Sequence, residues 1–443
     1  MGVGACLGVG LLAVTGCSSG STGEADAGST PQNRPPVWAG ATTPVTVREG
    51  SRATVPVMTT DPDGDAVEVV LESSGLLEGL LSQGVLTLRA PYGVTGTQQV
   101  TLTLRDAPGA TTSHVLAVDV DALTWGPRVT WSQPAGPEER EHPTVFTHDA
   151  TGSIYVIDGS GYSPYGEVFA DGWRFDTRTS TWSPCTLMGD VPTAAGSRRL
   201  AGVRGSGEGW MFGGYAEGQV NNAELIHVVG NGDTLTFTNV PQTNPPPSRA
   251  LHAFGYDPGS QKFVLFGGGG DALYGDTWFM TLSNGTAVWE NATAAQGISP
   301  AGRFGPFFGM DEERGIFWLF SGQTSGNRFA NDTWYLDMRA NPPTWDQAIE
   351  ATDPPAGRRN GSYVFDPTGP RLWVFGGTFD GRTTAVGLFA LDATVGAARW
   401  DSVLTDGQPP RRSSGIGTFV DGAVWIGFGN DDGVYKDLTR LGH

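Results

Sequence analysis

A repeat constrains this chain more than any other feature. A residue pair ending in glycine recurs after apolar, aromatic runs: Asp158-Gly159, Gly213-Gly214, Gly267-Gly268, Ser321-Gly322, Gly376-Gly377 and Phe428-Gly429. The second members lie 55, 54, 54, 55 and 52 residues apart. An independent aromatic series keeps the same period, because Trp131, Trp182, Phe237, Trp289, Trp345 and Trp400 are separated by 51, 55, 52, 56 and 55 residues. Repetition on this scale marks an array of like units, each of which buries its apolar face only against its neighbours. With 66 Gly and 30 Pro in 443 residues, long helices are excluded, while 14 Trp and 21 Phe argue against disorder.

The order inside one unit is also constant. Lys262-Phe263-Val264-Leu265-Phe266 precedes Gly267-Gly268, and Asp276-Thr277-Trp278 and Trp289 follow. The next unit runs from Gly315-Ile316-Phe317-Trp318-Leu319-Phe320 to Asp332-Thr333-Trp334 and Trp345, and the one after from Arg371-Leu372-Trp373-Val374-Phe375 to Phe389 and Trp400. In the second unit Ala223-Glu224-Leu225 stands where Asp-Thr-Trp is expected. This order resembles the kelch repeat from about Leu123 to His443, which implies that four antiparallel strands form each blade of a β-propeller. Trp131 precedes the first glycine pair, and no aromatic partner follows the last, so the final blade lacks its outer strand. Arg128-Val129-Thr130-Trp131-Ser132 can supply it. The expectation is a six-bladed kelch-type propeller over residues 122–443, closed by an N-terminal strand that removes open sheet edges.

Residues 35–121 alternate apolar and polar side chains in short runs, such as Val45-Thr46-Val47, Val85-Leu86-Thr87-Leu88 and Val100-Thr101-Leu102-Thr103-Leu104. That period reads as half-buried strands of a β-sandwich. Asn33-Arg34-Pro35-Pro36-Val37, Val47-Arg48-Glu49-Gly50 and Asp61-Pro62-Asp63-Gly64-Asp65 together resemble bacterial cadherin-like and immunoglobulin-like modules. Asp61, Asp63 and Asp65 could offer oxygen ligands to a structural calcium ion; the same residues also suit a solvated hairpin turn. No other cofactor is expected.

Residues 1–17, MGVGACLGVGLLAVTGC, are uncharged and apolar but too short to span a bilayer. They read as a signal peptide, although no Lys or Arg precedes the apolar stretch. Val14-Thr15-Gly16-Cys17 resembles the bacterial lipoprotein box, which implies cleavage before Cys17, lipid on its thiol, and anchorage at the outer membrane, on its periplasmic side or at the cell surface. Residues 18–34 lack periodicity and read as a flexible tether. Cys185 would then be the lone thiol of the mature chain, with no internal disulfide, and reads as buried and inert. A net charge of -19, from 46 acidic against 27 basic residues, disfavours nucleic-acid partners. Membrane contact is expected only through the lipid.

The kelch resemblance implies recognition on one face, built from the loops after the glycine pairs and the segments leading into each first strand. The former offer Tyr162, Tyr165, Tyr215, Tyr274, Phe329 and Arg382 as contact residues, or as side chains that pack on their own loops. The latter carry Arg140, Arg199, Arg249, Arg303, Arg358 and Arg412, and the resemblance implies that such arginines stand near the axis. They either bind carboxylates or anionic sugars, or bond carbonyls of the adjacent blade. The six histidines, at 114, 142, 148, 227, 252 and 443, have no zinc spacing. Cys185 beside Trp182 does not match a galactose-oxidase-like copper site, and neither sialidase Asp boxes nor a nucleophile elbow occurs. The leading reading is an envelope-anchored protein that binds a protein or glycan; the alternatives are a carbohydrate-active or sugar-isomerising propeller enzyme, or an envelope scaffold.

Overall fold

The recurrent pair has a backbone cause. At all six places both residues lie in the left-handed region, with φ of 54–74° at the first and 82–110° at the second. Asp158, Ser321 and Phe428 tolerate the first angle, whereas the larger second one is reached by glycine alone. A Cβ at Gly429 would also stand 2.2 Å from the Ser413 carbonyl oxygen. The pair therefore turns the chain sharply out of an apolar strand.

The computed structural model describes residues 32–40, 42–161, 167–216, 222–295, 297–380, 384–403, 405 and 407–442. Cys17, Tyr162, Tyr165 and Arg382, named above, lie outside them. The chain divides into two units between Leu123 and Thr124. In both, the regular secondary structure is almost wholly strand.

In the N-terminal unit one sheet orders Val45–Arg48, Thr111–Asp121, Gly96–Asp106 and Val67–Ser73. A second orders Arg52–Pro56, Val85–Arg89 and Glu78–Ser82. Alternate residues from both, including Val47, Leu86, Leu88, Leu102, Leu104 and Val118, share one buried core. The strand Glu78–Ser82 had no clear signal in the sequence, because its Leu80 is exposed and Leu81 only half-buried.

The C-terminal unit contains, among the described residues, six sheets of four or five strands and one two-stranded sheet. The third runs Ala253–Asp257, Lys262–Phe266, Thr277–Ser283 and Thr286–Asn291, each antiparallel to the next. Second strands such as Ile316–Phe320 and Arg371–Phe375 are buried along their whole length, being covered on both faces. Continuous apolar runs rather than alternation are the sequence consequence. The aromatic markers join neighbouring sheets: Trp345 Nε1 donates to Thr277 Oγ1 of the preceding sheet at 2.9 Å, and Trp400 Nε1 to Thr333 Oγ1 at 3.0 Å. Trp289 departs from this pair, donating to Gln242 Oε1 within its own sheet, and Trp131 donates to the Pro137 carbonyl.

The last sheet receives strands from early in the unit. Thr124 and Trp125 pair antiparallel with Gly442 and Leu441, and Val129 and Thr130 with Leu438 and Asp437. Trp131 then packs between Trp182 of the first sheet and Phe428 of the last, at ring-centroid distances of 5.0 and 5.6 Å. Trp131→Ala should therefore lower the stability of this unit by about 3 kcal/mol, the lower end of the range for an aromatic truncation. Chemical denaturation followed by tryptophan fluorescence is the check, and an unchanged midpoint would show that these contacts contribute nothing.

Candidate functional site

One buried device recurs at the head of the repeats. Arg249 donates from Nε to the Pro247 carbonyl, from Nη1 to the Gly267 carbonyl, and from Nη1 and Nη2 to the two carboxylate oxygens of Asp276 at 2.6 and 2.9 Å. Trp278 Nε1 donates to the same carboxylate. Arg303 repeats the arrangement with Ser321, Asp332 and Trp334, Arg140 with Asp158, Asp171 and Trp173, and Arg412 with Phe428 and Asp437. These guanidiniums, with Arg358, are at most 2% exposed. A buried cation needs a paired acceptor set, and for Arg140, Arg249, Arg303 and Arg412 it is internal. These four arginines tie the end of each second strand to the start of the third and fix the loop between. Arg358 bonds only the Ala356 and Gly376 carbonyls and has no carboxylate partner among the described residues.

Arg199 departs from the series. The Arg-to-pair spacing of 18 residues, applied to Gly213, leads to Ala195, which is buried. Arg198 reaches into the vacant place instead, donating to the Gly213 carbonyl at 3.1 Å and to Glu224 at 3.3 Å. Glu224 is the longer substitute for aspartate noted in the second repeat, and its extra methylene meets a guanidinium arriving from a different position.

The loop aromatics divide by what they touch. Tyr274 lies 4.1 Å from the Arg249 guanidinium, Phe169 4.4 Å from Arg140 and Tyr435 4.8 Å from Arg412, each covering a cation. Phe329 is half-buried in the short strand Arg328–Phe329, paired with Gln323–Thr324.

Six further backbone hydrogen bonds form a closed cycle. His142 N donates to Ser414 O, Ser197 N to His142 O, Leu251 N to Ser197 O, Gly305 N to Leu251 O, Asn360 N to Gly305 O and Ser414 N to Asn360 O. All six residues have left-handed φ, between 49 and 63°. Next to this cycle are two arginines that sequence reasoning misassigned or missed. Arg359 lies 4.8 Å from the Phe304 ring, its Nε has no acceptor, and no carboxylate pairs with it among the described residues. Tyr215 stands close enough for the Arg359 charge to act on its hydroxyl, which burial pushes above its ordinary value. Arg199 borders a cavity of about 150 Å³ with Tyr363, Phe308, Leu200 and Val145. His142 is held down to about 3 by burial, with the charges of Arg199 and Arg359 adding to it, so it stays neutral and cannot compensate them. A second cavity, of about 190 Å³, is lined by residues of all six first strands and by Arg204, which donates to the Met310 carbonyl and has its own N–H bonded to Glu312. The loop carrying Arg204 thus reaches from the second sheet to the fourth.

The remaining candidates are structural in geometry. Asp61 Oδ1 accepts the N–H groups of Asp63 and Asp65, and Asp63 is ion-paired with Arg34. Among the described residues no cluster of three or more His, Cys, Asp or Glu is gathered to hold a metal ion. The Cys185 thiol is pushed up to about 12, chiefly by burial, and is not a thiolate at neutral pH.

Comparison with known proteins agrees with this architecture. The pattern of the KLHDC2/KLHL20/DRC7 Kelch-repeats domain matches residues 104–311, 203–367 and 286–442, and that of the Bacterial Ig domain matches residues 33–119. The chain belongs to the kelch-repeat family and carries a bacterial Ig-like domain ahead of its repeats. Adagio-like protein 2 of Oryza sativa subsp. japonica is 28% identical over 248 residues, which cover 52% of this chain and 38% of that protein. Adagio-like protein 3 of the same plant is 26% identical over 314 residues, 67% of this chain and 48% of that one. The chain thus spans less than half the length of these relatives. The solved structure of YjhT, a kelch β-propeller, superposes with a TM-score of 0.53 at 14% identity, covering 70% of this chain and 97% of that one; this is a likeness of fold.

Removing a clamp arginine strands its carboxylate. Arg303→Ala should cost about 3–5 kcal/mol of stability, read from denaturant unfolding; a variant as stable as the parent would contradict the clamp. The clamps also predict acid sensitivity. Burial alone would raise the Asp276 and Asp332 carboxyls, but the hydrogen bonds and charges of Arg249 and Arg303 outweigh it and hold both below their ordinary value. The stability they contribute is therefore complete above about pH 4, the unfolded-state value, and is lost as pH falls through the folded-state values. Asp276→Asn should flatten the pH dependence of unfolding below about pH 4; an unaltered slope would exclude the linkage.

Proposed function

We propose that this chain is a cell-envelope-anchored binding protein, held by lipid on Cys17 and a tether over residues 18–34, with its Ig-like domain as spacer. Its six larger sheets are the blades of a closed kelch propeller, and the loop face around the axis recognises a protein or glycan ligand. Closure is supported by the pairing of Thr124–Trp125 and Val129–Thr130 with the last sheet, and by the unbroken cycle of backbone bonds through all six repeats.

The observation that carries the binding reading is Arg359. A guanidinium against an aromatic ring, beside Tyr215 and with no carboxylate partner among the described residues, is arranged to meet a planar or anionic group from outside. The buried clamp arginines have no such freedom. Recognition of this kind needs no bond chemistry: the scaffold presents side chains of low conformational freedom, and the ligand supplies the missing acceptors.

Immobilised full-length protein should capture its ligand from protein and glycan arrays, and Arg359→Ala should weaken capture at least tenfold while leaving the melting temperature within about 2 °C. Arg303→Ala is the contrasting control, losing stability first. Capture unaffected by Arg359→Ala would exclude the loop face around Arg359 as the site, and catalytic turnover of any arrayed glycan would overturn the binding-only reading. Replacing Cys17 by serine should release the protein from the membrane fraction; retention there would remove the lipid anchor from the proposal.

A further inference from the structure

The fifth repeat keeps its clamp arginine but not the clamp. Gly387 N and O occupy the register of Asp276: the Gly376 N–H donates to Gly387 O at 3.3 Å as the Gly267 N–H does to Asp276 O, and Leu388 pairs with Phe375 as Thr277 does with Phe266. Glycine thus replaces the aspartate, and Phe389 replaces the tryptophan whose indole would have donated to it. Carboxylate and carboxylate donor are absent together. Arg358 remains 2% exposed, donating from Nε to the Ala356 carbonyl and from Nη1 to the Gly376 carbonyl at a long 3.3 Å. The rings of Phe379 and Phe389 lie 5.0 and 4.8 Å from its guanidinium carbon. Burial with no opposing negative charge lowers it to about 10.

From this we infer that Arg358 is an anion site whose second half is supplied from outside: a ligand carboxylate takes the place that Asp171, Asp276, Asp332 and Asp437 fill in other repeats. Three features make the place reachable and selective. The corresponding side chains of Asp171, Asp276 and Asp332 are 36, 20 and 26% exposed, so in three of the four clamped repeats the position faces solvent; Asp437, which also pairs with Arg128, is covered. Beside it Val386 is 66% exposed, and Phe379, whose ring lies against the guanidinium, is 36% exposed. Aromatic rings against the guanidinium leave in-plane N–H donors as its polar edge, which suits the two coplanar oxygens of a carboxylate. The site is distinct from the loop face around Arg359 and does not depend on the reading given to it.

Formate and acetate, titrated against full-length protein at constant ionic strength with chloride as the balancing anion, test this directly. Both should raise the melting temperature by about 2–4 °C at ten times their dissociation constants. An acidic tripeptide and glucuronate, added separately, distinguish a protein carboxylate from a sugar carboxylate by which gives the larger shift. Gly387→Asp supplies the carboxylate internally and should abolish the response; because Gly387 has a φ of 108° that strains any side chain, Arg358→Gln serves as a second variant with the same expected loss. Arg359→Ala should retain the response, which separates failure of this site from failure of the loop face around Arg359. No carboxylate-specific shift in the parent, or a shift that survives both Gly387→Asp and Arg358→Gln, would overturn the inference.

Discussion

A guanidinium buried between two strands is the interaction on which the repeated unit depends. Taking it out of water without a paired anion is costly. Bonded to the carbonyl of the first residue in the glycine pair and bidentate to the aspartate that opens the third strand, it sets the two strand ends a definite distance apart. The left-handed pair then has one path to follow, and the aromatic at the loop tip is delivered against the same cation, as Tyr274 is against Arg249. The loop is free to vary in sequence because its ends are held by charge rather than by its own residues.

Two repeats depart from the clamp, one by shifting the charge pair and one by losing its acid. In the second repeat the arginine moved by three positions, from the place of Ala195 to Arg198, and the acid lengthened to Glu224, so the charge pair survived in altered geometry. That displacement leaves Arg199 beside the inner cavity with a single carbonyl bond to His252. In the fifth repeat the acid vanished altogether, and two phenyl rings lie against Arg358. The cations available for recognition are therefore the ones the repeat does not need, and Arg359 is the most exposed to such a role.

Much of the fold was legible because period and backbone angle leave direct marks on composition. The continuous apolar runs at Lys262–Phe266 and Arg371–Phe375 reflect strands covered on both faces, and the glycine at the second place of each pair reflects an angle other residues avoid. The pairing partner of Asp437–Gly442 could be anticipated from the phase of Trp131. The candidate site was less legible. Counting arginines ahead of each first strand found the right residue type, but one position too late at Arg199, and it could not separate Arg358 from its neighbour Arg359. Applying the 18-residue spacing strictly would have flagged Ala195. No periodic signal marks Arg359, because its role rests on the lack of a partner.

The amino-acid sequence by itself determined an all-β chain of like units behind a smaller alternating-strand domain, since strand period, glycine placement and aromatic spacing are local properties that repetition amplifies. Only the tertiary structure decided which cations are neutralised and which stand free. That outcome depends on where residues some 15 to 30 positions away, or in another repeat, place their oxygens: Asp276 on Arg249, Glu224 on Arg198, and, among the described residues, none on the Nε of Arg359. Charge pairing acts through space and is read from distances, whereas the order of residues records only which partners the chain could bring together.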